Sequence, residues 1–181
     1  AFGASECRKP LRGAKADLYE GGLRVPLLIR WPGRITPGAV RDHLVSGADL
    51  FPTLVAAAEA TASAELDGLD LWPVIRDPHH QLPRETLCWH YPHYHHLGIA
   101  PAGAIRMGRL KLIEWFEAAL GVAGATGPAA ELFDLEADPG ETHDLAPEMP
   151  ERAAELRERL RAWRRSVGAQ EMAPNPAYDP A

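Results

Sequence analysis

The sequence predicts an α/β chain, with one edge of a layered α/β sheet followed by a small antiparallel sheet subdomain packed with one long amphipathic helix. Three observations lead there. A short apolar run, Val25 to Trp31, is followed by a helical pattern at 49–60, the strand-then-helix order that an α/β layer needs at its edge. Beyond a polar, proline-containing stretch at 78–83, the pattern changes to short β-type segments, as at a domain boundary. Near the end, Ala153, Leu156, Leu160 and Trp163 keep helical spacing among Glu and Arg, which reads as one amphipathic helix over 150–167. The expected division is therefore 1–77 for the end of the α/β part and 78–181 for the subdomain.

Residues 1–24 read as loop, built around Arg12, Gly13 and Lys15 and the run Tyr19-Glu20-Gly21-Gly22. A lysine on a loop before a buried strand suits an anionic ligand, because its compact ammonium binds a sulfate- or phosphate-like oxygen as a point charge. Paired glycines allow close backbone approaches that a Cβ resists. On residues alone, an ordinary surface loop with solvated charges is the favoured reading of the same stretch. Val25 to Trp31 is expected as a buried strand, stopped by the turn signals Pro32-Gly33 and Thr36-Pro37-Gly38. Asp49 is then a helix N-cap, with Pro52 in the first turn. Leu50, Phe51, Leu54, Val55 and Ala58 are spaced to face a core. Strands are expected at 85–91, 104–106, 110–116 and 131–135, with Met107-Gly108-Arg109 as a tight turn and 121–129 as a flexible loop. Asp138-Pro139-Gly140-Glu141 is a strong turn sequence, and the proline-rich tail from Asn175 is irregular.

Composition narrows the function classes. A net charge of −6 with scattered basic residues gives no reason to propose nucleic acid. No apolar run approaches the roughly 18 residues needed to span a membrane. Cys7 and Cys88 do not make a disulfide framework, and the start lacks the regions of a signal peptide and an initiator Met, as in a piece cut from a longer chain. The compartment stays open.

The segment PLRGAKADLYEGGLRVPLLIRWPG at 10–33 resembles the second signature segment of the sulfatases, members of the alkaline-phosphatase-like superfamily. VSGADLFPTLVAAAEA, LDGLDLWPVI, GAIRMGRLKLIE and ELFDLEADPGETHDLA resemble that family's later phrases, so the likeness runs from about Pro10 to the end. The resemblance implies the edge of an alkaline-phosphatase-like sheet and the family's smaller C-terminal subdomain. It implies a sulfuric ester hydrolase of arylsulfatase type, with Lys15 contacting the sulfate of a sulfated small molecule or glycan. It also implies a formylglycine nucleophile and a divalent cation, Ca2+ or Mg2+, both held by segments that would precede Ala1. The chain alone is then expected to be inactive. Such enzymes are usually exported to the periplasm or outside the cell, or lysosomal. A phosphomonoester or phosphonate hydrolase of the same superfamily, or a non-catalytic binding module, remains an alternative. An unpaired sheet edge at Val25–Trp31 would favour association.

Other clusters weigh less. Cys7-Arg8-Lys9-Pro10-Leu11-Arg12 is one residue too long for the C-x-P-x-R formylglycine motif, so Cys7 reads as structural. His90, His93, His95 and His96 crowd into seven positions without a zinc spacing; by resemblance, His90 and His93 line the substrate pocket. No metal site is expected from these residues. Tyr19, Glu20 and Arg24 are expected to fix the loop through ion pairs, and Arg109, Lys111 and Glu114 to be charges on a strand face. Asp134, Asp138, Glu141 and Asp144 lack EF-hand spacing and read as a solvated turn. No nucleophile elbow or P-loop is present.

Overall fold

A computed structural model describes residues 10–62, 64–96 and 98–173; Cys7 and the tail from Asn175 lie outside them. In chain order the elements are α1 (Glu20–Leu23), a 3-10 turn (Gly47–Asp49), α2 (Leu50–Ala57), α3 (Trp72–Arg76), β1 (Thr86–Tyr91), β2 (Ala102–Met107), β3 (Leu110–Trp115), α4 (Phe116–Leu120), β4 (Ala130–Asp134) and α5 (Pro150–Ser166). They form two compact units: the segment up to Val25 joined with Cys88 onward, and Pro26–Leu87.

In the first unit a four-stranded sheet has the order β1-β2-β3-β4. The β2–β3 hairpin is antiparallel, from Ala102↔Trp115 to Met107↔Leu110. Gly108 takes φ 58° in its two-residue turn, where a left-handed residue matches the twist of the strands. β3 pairs with β4 from Leu110↔Asp134 to Glu114↔Ala130. Successive residues of a strand point to opposite faces, and here both faces are covered. Leu110, Leu112, Ile105 and Leu132 pack with Ala153, Leu156 and Leu160 of α5. Ile113, Ala102, Ala104 and Phe133 pack with Leu18, Leu135 and the flanking Tyr19 and Leu23. The sheet thus lies between α5 on one side and the segment 18–23 on the other.

Covering both faces buries charges that the sequence placed on a strand face. Lys111 is 0% exposed and Glu114 1%, and the pleat sends them to opposite sides. Glu114 meets α5, where Arg157, Arg161 and Arg164 lie at 3.0, 2.7 and 3.0 Å. Arg109, in the turn, stays exposed and pairs with Asp134 at 2.6 Å. The strands otherwise agree with expectation to within a few residues, and the long helix ends one residue early. Phe116 leaves β3 to open α4, whose C-cap Gly121 has φ 67°.

The second unit departs more from expectation. Val25–Trp31 forms no strand, and Leu28 is 88% exposed. A strand needs a hydrogen-bonding neighbour, and the described residues offer this segment none. Leu50, Phe51 and Leu54 on α2 are exposed rather than core-facing. The inward residue is Thr53, whose Oγ1 donates to Asp49 O at 2.6 Å and accepts from Leu71 N–H at 2.9 Å. Trp72 Nε1 donates to Thr53 O at 2.9 Å. Asp49 precedes α2, but its carboxylate reaches elsewhere. It accepts from Ser46 N–H at 2.7 Å, Leu69 N–H at 2.8 Å and both Arg84 terminal nitrogens at 2.6 Å. Burial alone would raise the Asp49 pKa; these donors outweigh it and hold the carboxyl below its ordinary value.

Candidate functional site

Lys15 sits at the tip of a turn whose backbone is built tightly. Asp17 N–H donates to Ala14 O at 3.0 Å, and Asp17 Oδ2 accepts Ala14 N–H at 2.7 Å, an Asx-type closure. Ala16, next to the lysine, has φ 82°, a conformation that L-residues with a Cβ seldom adopt. The turn lies directly on the paired glycines. Gly21 N–H donates to Arg12 O at 2.7 Å. A Cβ on Gly21 would stand 2.4 Å from Arg12 O, and one on Gly22 2.1 Å from Asp17 O. The glycines are therefore required by close approach. The Lys15 side chain is exposed, and among the described residues no carboxylate pairs with it. Its ammonium is available to an anion.

The turn is fastened to the sheet at three points. Arg12 stacks 3.9 Å above the Tyr19 ring and lies 3.5 Å from Glu131 Oε1. Tyr19 Oη donates to Glu131 Oε2 at 2.6 Å, and Trp115 Nε1 donates to the same oxygen at 2.8 Å. Burial first, and then the Glu131 carboxylate, push the Tyr19 hydroxyl well up, so it remains a neutral donor. Glu20 N–H donates to Glu141 Oε2 at 2.6 Å, while Lys111 Nζ lies 3.0 Å from Glu20 Oε1 and 2.8 Å from Glu141 Oε1. The expected ion pairing of Glu20 is present. Its partners, Lys111 and Glu141, were not read as part of the loop. The available signal was a lysine inside the apolar run LKLIEW, since lysine is seldom fully buried unless paired.

His90 and His93 are placed differently from the lysine. Cys88 packs with the α5 cluster and Trp89 with the opposite one, so alternation puts His90 on the α5 face, across the sheet from the Lys15 loop. The His90 ring lies 5.3 Å from that of Phe116. Its Nε2 is 2.7 Å from Gln170 O; a carbonyl only accepts, so Nε2 carries the proton. His93 is exposed beyond the end of β1, with its ring edge-on to Tyr91 at 5.7 Å. Among the described residues, no three His, Cys, Asp or Glu side chains converge to hold a metal ion. The divalent cation that the family resemblance implies therefore does not fit a site made by these residues. Burial pushes the Cys88 thiol up to about 11, which keeps it protonated and unreactive at neutral pH.

Comparison with known proteins bears directly on this arrangement. Residues 14–166 match the family described as N-sulphoglucosamine sulphohydrolase, C-terminal. The chain belongs to the sulfatase family. Steryl-sulfatase of Rattus norvegicus is 33% identical over 184 residues, a match covering 91% of this chain and 32% of the relative. Arylsulfatase A of Homo sapiens is 36% identical over 152 residues, covering 77% of this chain and 29% of the relative. The crystal structure of Ps i-CgsB superposes with a TM-score of 0.64 at 28% identity, covering 86% of this chain and 32% of that one. This sulfatase chain thus spans about a third of the length of the curated relatives it matches, and it corresponds to their C-terminal portion. Its antiparallel sheet with one long helix is the C-terminal subdomain of the α/β sulfatase fold. No helix among the described residues is long and apolar enough to cross a membrane.

Proposed function

We propose that the chain is the C-terminal part of an enzyme that hydrolyses sulfate esters, and that Lys15 is its contribution to the catalytic site. The observation that carries this reading is the Lys15 turn: inside the matched region, a closely packed backbone fixes a turn that presents an exposed lysine with no carboxylate partner among the described residues. Hydrolysis breaks the ester bond to sulfur and releases an alcohol and sulfate. Negative charge builds on the leaving oxygen, and a fixed cation beside the sulfuryl oxygens stabilises it. The formylglycine and the Ca2+ or Mg2+ that such chemistry uses belong, in this reading, to segments outside this chain. We keep the division at 77/78 between the end of the catalytic domain and the subdomain, and an exported or lysosomal setting.

A sulfated glycan is the substrate class we favour over a small aryl sulfate. The support is that Ps i-CgsB, 28% identical to this chain, is described in complex with k-i-k-neocarrahexaose. His93, exposed and backed by Tyr91, is the better of the two histidines for meeting a sugar, because the Nε2 of His90 is already engaged. The test uses the product of the complete coding sequence that contains this chain. With Lys15→Ala, kcat/KM for a sulfate ester should fall about 10²–10³-fold, the size seen when one transition-state donor is removed, with an unchanged unfolding midpoint. An undiminished rate sinks the assignment. Faster turnover of the matching phosphate ester would point to the phosphohydrolase alternative.

A further inference from the structure

We propose that Lys111 and Glu141 are positioning residues: with Glu20 they form a buried latch by which the C-terminal sheet fixes the Lys15 turn. This rests on the reading of Lys15 given above. The three side chains come from separate parts of the chain, β3, the turn after β4 and α1, and meet out of solvent, with Glu20 3%, Lys111 0% and Glu141 0% exposed. Glu141 grips the loop on both sides of Lys15. Its backbone carbonyl accepts from Arg12 Nη1 at 3.0 Å, and its carboxylate accepts Glu20 N–H at 2.6 Å. Lys111 then ties both carboxylates to β3.

Two features separate this cluster from ordinary core packing. Glu141 has φ 52°, a left-handed backbone that glycine adopts without steric cost and a glutamate does not. From that backbone the Glu141 carboxylate reaches Glu20 N–H at 2.6 Å and Lys111 Nζ at 2.8 Å. In addition, Glu20 Oε2 is buried without a hydrogen-bond partner among the described residues, with Arg106 Nη1 at 3.9 Å, while Glu141 Oε1 faces the Lys111 ammonium at 2.8 Å. A buried ion cluster with a spare acceptor is a poor stabiliser compared with apolar packing, and such groups are best attested where they fix one arrangement among several. The arrangement fixed here is the seat of Arg12 and Glu20, the two residues that bracket the lysine.

Amide hydrogen exchange on the full 181-residue chain tests the latch without relying on catalysis. The reporters are Gly21 and Ala14, whose amides bond to Arg12 O and Asp17 Oδ2. In Glu141→Gln their exchange should rise about tenfold or more, as local opening does when a tie is lost. The amides of Leu112, Leu132 and Leu156 should keep their wild-type rates. Unchanged Gly21 and Ala14, or an equal rise in the sheet and helix amides, overturns the proposal. Glu141→Gly provides the second variant. It relieves the left-handed backbone and keeps the carbonyl, so it should fold well yet still lose loop protection; a protected loop there sinks the latch. The Lys15→Ala kinetics of the complete protein test the sulfate reading separately. Undiminished turnover there defeats that reading, while the exchange result still decides the latch.

Discussion

At Gly21 and Gly22, as at Gly68, a Cβ would meet backbone oxygens at 2.4, 2.1 and 2.0 Å respectively. At Gly22 it would strike Asp17 O at 2.1 Å and Ala14 O at 2.6 Å, both backbone atoms of the Lys15 turn. Backbone cannot rotate aside as a side chain can, so Gly22→Ala should cost about 2–3 kcal/mol of unfolding free energy, read by urea denaturation. Gly33→Ala is the control. Its φ is 76° but nothing lies within 4 Å, so the cost should be only about 1 kcal/mol. Equal losses at both positions would refute the close-approach argument. Two glutamates make opposite pH predictions. Burial, outweighing the pull of Lys111 and of Glu20 N–H, raises the Glu141 carboxyl from its ordinary 4.5. Its folded form therefore binds a proton more tightly than its unfolded form, and its contribution is present below about pH 4.5 and lost as pH rises through the folded value. Burial also acts to raise Glu114, but the hydrogen bonds from Arg164, Arg161 and Arg157 together lower it. Its contribution is present above the ordinary value and lost as pH falls through the folded one. In unfolding titrations, Glu141→Gln should remove part of the decline on the higher-pH side and Glu114→Gln part of the decline in acid. Variant profiles that merely run parallel to wild type would contradict both.

At the scale of elements, α5 illustrates how a stripe becomes a core contact. Leu156 and Leu160 are fully buried against Ile105, Leu112 and Leu132. Leu156→Ala should cost about 3 kcal/mol, the range for a buried leucine that leaves a cavity. Leu120→Ala, half exposed at the end of α4, should change the unfolding midpoint little. A loss under 1 kcal/mol at Leu156 would mean that the helix is not seated as described. This helix was legible from the sequence because four apolar residues at helical spacing state both its extent and its inward face. The hairpin was legible for a similar reason, since Met107-Gly108-Arg109 demanded a turn between two β-rich runs. Lys111 and Glu114 were not. Alternation alone says that adjacent odd and even residues face opposite ways, but not that both faces are covered. That depends on Leu18 and Tyr19, almost a hundred residues earlier, lying on the second face. The Lys15 turn was legible as motif and spacing; its fastening through Glu131 and Glu141 was not, because those contacts span more than a hundred residues. Asp49 was placed correctly before its helix, yet its carboxylate serves Arg84, 35 residues away.

For the whole molecule, the exposed apolar residues carry the argument. Val25, Leu28, Phe51 and Leu54 are each more than half exposed, and the chain spans about a third of its curated relatives. An exposed apolar segment with no strand partner among the described residues is a template for another strand. Purified 1–181 should therefore self-associate with rising concentration in sedimentation velocity, and Leu28→Lys should reduce it without changing the unfolding midpoint. A wild-type chain that stays monomeric would count instead for a self-sufficient module. The catalytic expectation follows from the same share of the relatives' length. Residues that act as a unit in catalysis lose nearly all of their effect when most of the unit is missing, and our proposal makes Lys15 one cation of a site whose nucleophile and metal lie elsewhere. The chain by itself should release no product from an aryl sulfate above the uncatalysed rate, with or without added Ca2+. The decisive contrary result would be turnover by purified 1–181 that disappears in Lys15→Ala. That outcome would mean that this chain holds a nucleophile of its own and that the division of the site proposed here is wrong.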